Sequence, residues 1–101
     1  MFRRKGKRLI DVTRLSSLVG TNVEIRGDII FSGGLRVDGY VEGNVLSSDA
    51  DNGLLVLSEN GSIKGNVRVY DAVINGTIVG DLKAEHFVEL QAGTRVTGTL
   101  T

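Results

Sequence analysis

Residues 39–45 read GYVEGNV, and the same arrangement returns as GSIKGNV at 61–67 and GTIVGDL at 76–82. Each stretch has two glycines, a single apolar residue inside, and a small polar residue before the next apolar one. The shorter core of this unit (apolar, any residue, Gly, small polar, apolar) occurs five times. It is found as IRGDI (25–29), VEGNV (41–45), IKGNV (63–67), IVGDL (78–82) and VTGTL (96–100). The intervals between the central glycines are 16, 22, 15 and 18 residues. A leading glycine precedes the unit at Gly39, Gly61, Gly76 and Gly93.

Between the glycines, apolar residues alternate with polar ones over short runs, as at Leu35–Val37 and Val88–Leu90. Period two is the mark of a strand with one buried face. The glycines supply backbone conformations that other residues resist, so they read as corners. A corner that returns at regular intervals predicts a coil whose turns stack, with equivalent residues roughly 4.8 Å apart. A single turn cannot bury its own apolar side; a stack builds one continuous core. The expected inward set is Ile25, Ile29, Leu35, Val37, Val41, Val45, Ile63, Val67, Val73, Ile78, Leu82, Val88, Leu90, Val96 and Leu100. The fold class is all-β, a parallel β-helix of about five to six turns.

Composition agrees with that architecture. The 101 residues include 14 glycines, no proline, no tryptophan and five aromatic residues in all, so the core must be built from Val, Ile and Leu. The absence of cysteine excludes a disulfide framework, a thiolate metal site and a cysteine nucleophile. The longest apolar run is Leu54–Leu57, too short to cross a bilayer. No signal peptide is expected, because Asp11, Thr13 and Arg14 interrupt the apolar stretch that should follow the basic start.

The 22-residue interval marks an insertion of about six residues at SSDADNG, 47–53. Its aspartates do not have the spacing of an EF-hand, so a solvated loop is expected and no metal site. Nor is a nucleotide-binding loop present: no Gly-Lys-Ser/Thr occurs. His86 is the only histidine, flanked by Glu85 and Phe87. Glu85 could poise it as a base, as in an acyltransferase built on hexapeptide repeats. The period of about 16 does not fit repeats of six, and the expectation is no catalytic residue, no cofactor and no enzyme.

The order of these residues resembles the bactofilin family. SLVGTNVEIRGDI (17–29) is similar to that family's entry turn, and the GNV, GNV, GDL series to the turns that follow. The resemblance spans about residues 16–101. It implies a right-handed parallel β-helix of triangular cross-section and end-to-end polymerisation into nucleotide-independent cytoskeletal filaments. It also implies attachment to the inner face of the cytoplasmic membrane through a short N-terminal peptide. Family members often carry Phe at the place of Val96, so the joint between subunits is expected at Val96, Leu100 and Phe87, against Val23, Ile25 and Ile29.

Charge divides the chain. Residues 1–14 carry a net +5 and residues 15–101 a net −5. The expected division is a basic arm, 1–15, and a polymerisation domain, 16–101. Three uses are open for MFRRKGKRL: Met1, Phe2, Arg3, Arg4, Lys5, Lys7 and Arg8 could bind an anionic membrane surface, grip nucleic acid, or form a solvated tail. The membrane reading is the one adopted, because the body is acidic and Phe2 is the arm's one aromatic. The expected partners are other copies of this chain, the membrane and enzymes of the cell wall. The alternative is a non-polymerising β-helix whose arm binds nucleic acid or another partner.

Overall fold

A computed structural model describes residues 15–48 and 53–101. Twelve strands follow one another, and no helix occurs among the described residues: β1 (Leu15–Val19), β2 (Glu24–Arg26), β3 (Ile29–Phe31), β4 (Gly34–Val37), β5 (Tyr40–Glu42), β6 (Val45–Ser47), β7 (Leu54–Leu57), β8 (Ser62–Lys64), β9 (Val67–Ile74), β10 (Thr77–Val79), β11 (Leu82–Leu90) and β12 (Arg95–Thr97). Every strand pairing is parallel, as a coil requires.

The pairings define a solenoid of about five turns with three faces. The first face stacks β2, β5, β8, β10 and β12. The second stacks β3, β6 and the leading parts of β9 and β11, and it closes with a bridge from Leu82 to Leu100. The third stacks β1, β4, β7 and the trailing parts of β9 and β11. In the lower turns the second and third faces are made by separate strands. In the upper turns β9 and β11 run through that corner as single strands of 8 and 9 residues.

Register follows the sequence repeat. On the first face Ile25, Val41, Ile63, Ile78 and Val96 lie one above another. Their separations in sequence are those of the corner glycines. The long interval is absorbed between Ser47 and Leu54, off the ladder. Residues 49–52 of that insertion lie outside the described residues.

The corner glycines form a column of their own. Gly27, Gly43, Gly65, Gly80 and Gly98 have φ between 135° and 156°, which L side chains rarely adopt. A Cβ on Gly65 would fall onto the carbonyl oxygen of Gly43, and one on Gly43 onto that of Gly27. The next residue in each turn adds a polar ladder. Asp28 Oδ1 accepts the Asn44 N–H (2.9 Å), Asn44 Oδ1 the Asn66 N–H (3.0 Å), Asn66 Oδ1 the Asp81 N–H (3.1 Å) and Asp81 Oδ1 the Thr99 N–H (3.0 Å). The small polar residue of the repeat is therefore a bracket between turns, placed where its short side chain reaches one layer up.

The interior is aliphatic. Val37, Val41, Val45, Leu55, Ile63, Ile74, Ile78 and Leu82 are wholly buried in one cluster that also holds Val19, Phe31, Leu57, Val67, Val69 and Ala72. Three residues of the expected inward set lie outside the core: Leu90 and Leu100 are exposed in the last turn, and Val73 stands on the other side of its strand. Val73 is buried but does not belong to the core; its neighbours Ala72 and Ile74 do. Alternation runs inward at Val67 and Val69, then the corner at Tyr70–Asp71 shifts the parity by one, and Ala72 and Ile74 take the inner positions. Strict period two cannot register such a shift.

Asp38 lies on the corner after β4. Burial pushes its carboxyl up, but the Ser58 hydroxyl and the Arg36 guanidinium, whose Nε is 2.9 Å from Oδ1, outweigh burial and hold it below its ordinary value. Of the two, Arg36 makes the defined contact, and Ser58 Oγ is buried without a hydrogen-bond partner.

Two outcomes are expected. Gly65→Ala should lower stability by about 2–5 kcal/mol through strain and overlap, whereas Gly20→Ala, with open space around its Cβ, should stay within about 0.5 kcal/mol; thermal unfolding followed by circular dichroism compares them. The depressed Asp38 value gives stability that is complete above the ionisation range of an unfolded aspartate and is lost as pH falls through the folded value. Asp38→Asn should therefore flatten the melting curve's dependence on pH between about 2 and 5.

Candidate assembly site at the two ends of the coil

The inner columns are closed in the middle of the coil; all three open at its C-terminal end and two at its N-terminal end. In the column Ile25–Val41–Ile63–Ile78–Val96 the three central residues are wholly buried, while Ile25 and Val96 are half-buried. The column Ile29–Val45–Val67–Leu82–Leu100 behaves alike: Leu100 is 43% exposed. A third column, Val19–Val37–Leu57–Ile74–Leu90, is closed from below but ends with Leu90 45% exposed. Side-chain type is the same along each column, so position alone makes the difference.

The backbone repeats this pattern. Among the described strands β2 and β12 are the outermost members of the first face, each paired on one edge. β1 and β3 hold the same place at the N-terminal end of the other two faces, and β11 at the C-terminal end of the third. Edges of this kind present N–H and C=O groups in ladder register for another strand.

The structure places five of the six expected interface residues at these ends. Ile25 and Ile29 are the first members of their columns, and Val23 lies beside them, exposed, in a turn where its N–H donates to the Gly20 carbonyl (3.0 Å). Val96 and Leu100 are the last members at the other end. Phe87 is apart: it stacks over Asp71 and Leu54 on the outer side of the third face. Leu90 and Val88 share the C-terminal end with Val96 and Leu100. Their signal was present as the alternating VEL at 88–90.

Around the N-terminal end, Glu24 accepts from Arg26 (Nη2 to Oε2, 2.6 Å), and Glu42 of the next turn lies 3.7 Å from Arg26 Nε. The hydrogen bond and charge of Glu24, followed by the charge of Glu42, raise the Arg26 value. The outer side of the first face therefore carries paired charges instead of a single-sign field.

His86 is held differently from expectation. Its Nδ1 is 2.8 Å from Asp71 Oδ1, one turn below, and its ring stacks on Tyr70 at 4.6 Å with planes 3° apart. Glu85 turns instead to Arg68 (3.4 Å) and Lys83 (3.8 Å). These contacts cross the corner between the second and third faces and tie the last two turns together. No cluster of three His, Asp or Glu suited to a metal occurs among the described residues. Met1, Phe2, Arg3, Arg4, Lys5, Lys7 and Arg8 lie outside the described residues.

Comparison with known proteins places this repeat in a family. Residues 17–101 match the family model of bactofilin, described as polymer-forming cytoskeletal. The chain is 32% identical over 85 residues to Bactofilin BacP of Myxococcus xanthus (strain DK1622), an alignment covering 84% of this chain and 34% of BacP. The chain thus spans about a third of that relative's length. No solved structure matched. With its repeat matched from the entry turn to the last bridge, the chain belongs to the bactofilin family of polymer-forming cytoskeletal proteins.

Proposed function

We propose that this bactofilin polymerises by stacking the end of one coil on the end of another, and that the filament attaches to a membrane through the basic arm. The observation that carries the first part is the opening of two inner columns at both ends and of the third at the C-terminal end. Ile25 and Ile29 at one end, and Leu90, Val96 and Leu100 at the other, end the inner columns half-buried or exposed, without a next layer among the described strands. A second copy supplies that layer and pairs the edge strands at the same time. Burial of each side chain contributes on the order of 1 kcal/mol when half of its surface is already covered. No nucleotide is needed, because the driving force is apolar burial and backbone pairing.

The second part rests on the chemistry of the arm. Each Lys or Arg near an anionic leaflet contributes about 1 kcal/mol, and full burial of Phe2 adds roughly 1.5–3 kcal/mol. One arm binds weakly; a filament displaying many binds through their high effective concentration. Assembly and membrane attachment are thereby coupled, and the polymer becomes a scaffold at the inner face of the membrane, suited to organising cell shape or enzymes of the cell wall.

Two experiments test these readings. Leu90→Asp with Leu100→Asp should abolish sedimentable polymer while the β-rich circular dichroism spectrum persists; polymer at the unsubstituted level would contradict stacking through the C-terminal end. Flotation with anionic vesicles should recover the full chain and lose the chain lacking residues 1–8. Equal recovery would rule out the arm as anchor, and loss of binding only to nucleic acid would move the arm to that partner.

A further inference from the structure

Strand β11 turns the corner between the second and third faces with one residue more than β9 beneath it. Ala84 pairs with Val69 and Phe87 with Asp71, so three steps in β11 stand over two in β9. The extra residue makes a bulge at Glu85–His86, and bulges re-aim side chains. Leu82, Ala84, Val88 and Leu90 stand over Val67, Val69, Ala72 and Ile74 of the core. Plain alternation along these even positions would send His86 inward too. It stands outside instead, its side chain 60% exposed.

Two contacts hold it there. The ring lies flat on Tyr70, with centroids 4.6 Å apart and planes 3° from parallel, close to the spacing of adjacent layers. Its Nδ1 is 2.8 Å from Asp71 Oδ1, one position further along β9, and Asp71 is buried. The stack places His86 over Tyr70, which leaves Phe87 over Asp71. Without the bulge, Glu85 would stand over Tyr70 and every later residue would move by one. Phe87 would come to Ala72, Val88 to Val73 and Glu89 to Ile74. A slip of one residue exchanges the two sides of a strand, so Phe87 and Glu89 would top the inner column in place of Val88 and Leu90. The apolar pattern does not decide between these registers, because each sets an apolar residue, Val88 or Phe87, over Ala72.

We propose that His86 is a positioning residue for assembly: its stack on Tyr70 and its contact with Asp71 choose the register of Phe87–Leu90 on β9, and so present Leu90 instead of Glu89 at the C-terminal end. The consequence for assembly rests on the end-stacking proposed above; the choice of register does not. A leucine over Ile74 continues the third column toward a further layer. A glutamate there brings a charge into the junction, where loss of water opposes it. Glu85, the other residue of the bulge, pairs with Arg68 (3.4 Å) and Lys83 (3.8 Å) on the water-exposed side of the second face. Such pairs contribute little.

The chain has no cysteine, so disulfide pairs read the register. Val73→Cys with Glu89→Cys joins residues directly opposed in this register, within disulfide range across adjacent strands. Val73→Cys with Val88→Cys joins opposed residues only in the slipped one. With His86 in place, the first pair should oxidise faster than the second. Adding His86→Ala should lower that ratio of rates on the order of tenfold, the usual weight of a hydrogen bond to a charged group. Deleting Glu85 from the His86→Ala chain removes the extra residue and should restore the ratio, which a general loss of stability would not do. An unchanged ratio in His86→Ala overturns the proposal, as does failure of the deletion to restore it. If His86→Ala alone loses the β-rich circular dichroism, recovery of fold and ratio on deleting Glu85 supports the choice of register, and no recovery overturns it. Sedimentation separates this proposal from end-stacking. A lowered ratio with polymer at the unsubstituted level would contradict stacking through Leu90 and leave the choice of register standing. Polymer lost at an unchanged ratio would contradict the choice of register alone.

Discussion

At the corner of every turn, backbone rests on backbone. The carbonyl of Gly27 occupies the space a side chain on Gly43 would need, Gly43 stands in the same relation to Gly65, and so on to Gly98. This contact sets the vertical spacing and allows no residue but glycine. It fixes which residue of one turn lies over which residue of the next, and the Asx ladder locks that register from the side. With register fixed, a modest set of Val, Ile and Leu side chains becomes continuous columns. A chain without tryptophan or disulfides then closes a core.

Much of this was legible in the sequence because the repeat is the register. The intervals of the five pentapeptides are the intervals between stacked residues, and the parallel coil follows from them. Legibility failed where local pattern and geometry part. LLVL at 54–57 has no alternation, so it could not reveal that Leu55 and Leu57 face inward and Leu54 outward. Val73 looked inward because period two carries no mark of a corner, and the parity change at Tyr70–Asp71 is a property of the folded path. The Asp71–His86 contact was hidden for a related reason. It joins residues 15 apart in sequence, whereas Glu85 was the neighbour in view.

The ends of the coil were partly readable. Ile25, Ile29, Val96 and Leu100 could be placed there because they are the first and last members of the repeat. Phe87 could not, since an aromatic within a strand gives no sign of its side until the strand's path is known. Its position on the third face, above Asp71 and beside the outward Val73, instead joins it to the lateral surface. The molecule thus separates its two kinds of apolar surface. The end columns point along the axis, with no further layer among the described strands. The outer patch of the third face points sideways.

The same constraint that spaces turns within one chain spaces subunits in a polymer, if the ends stack as further layers. High-resolution imaging of filaments formed from the purified chain without nucleotide measures this directly. Stacking predicts an unbroken layer spacing near 4.8 Å and a rise per subunit of about 24 Å, five layers. A subunit rise well above that value, or a break in the layer spacing at each junction, would contradict an axial continuation of the core.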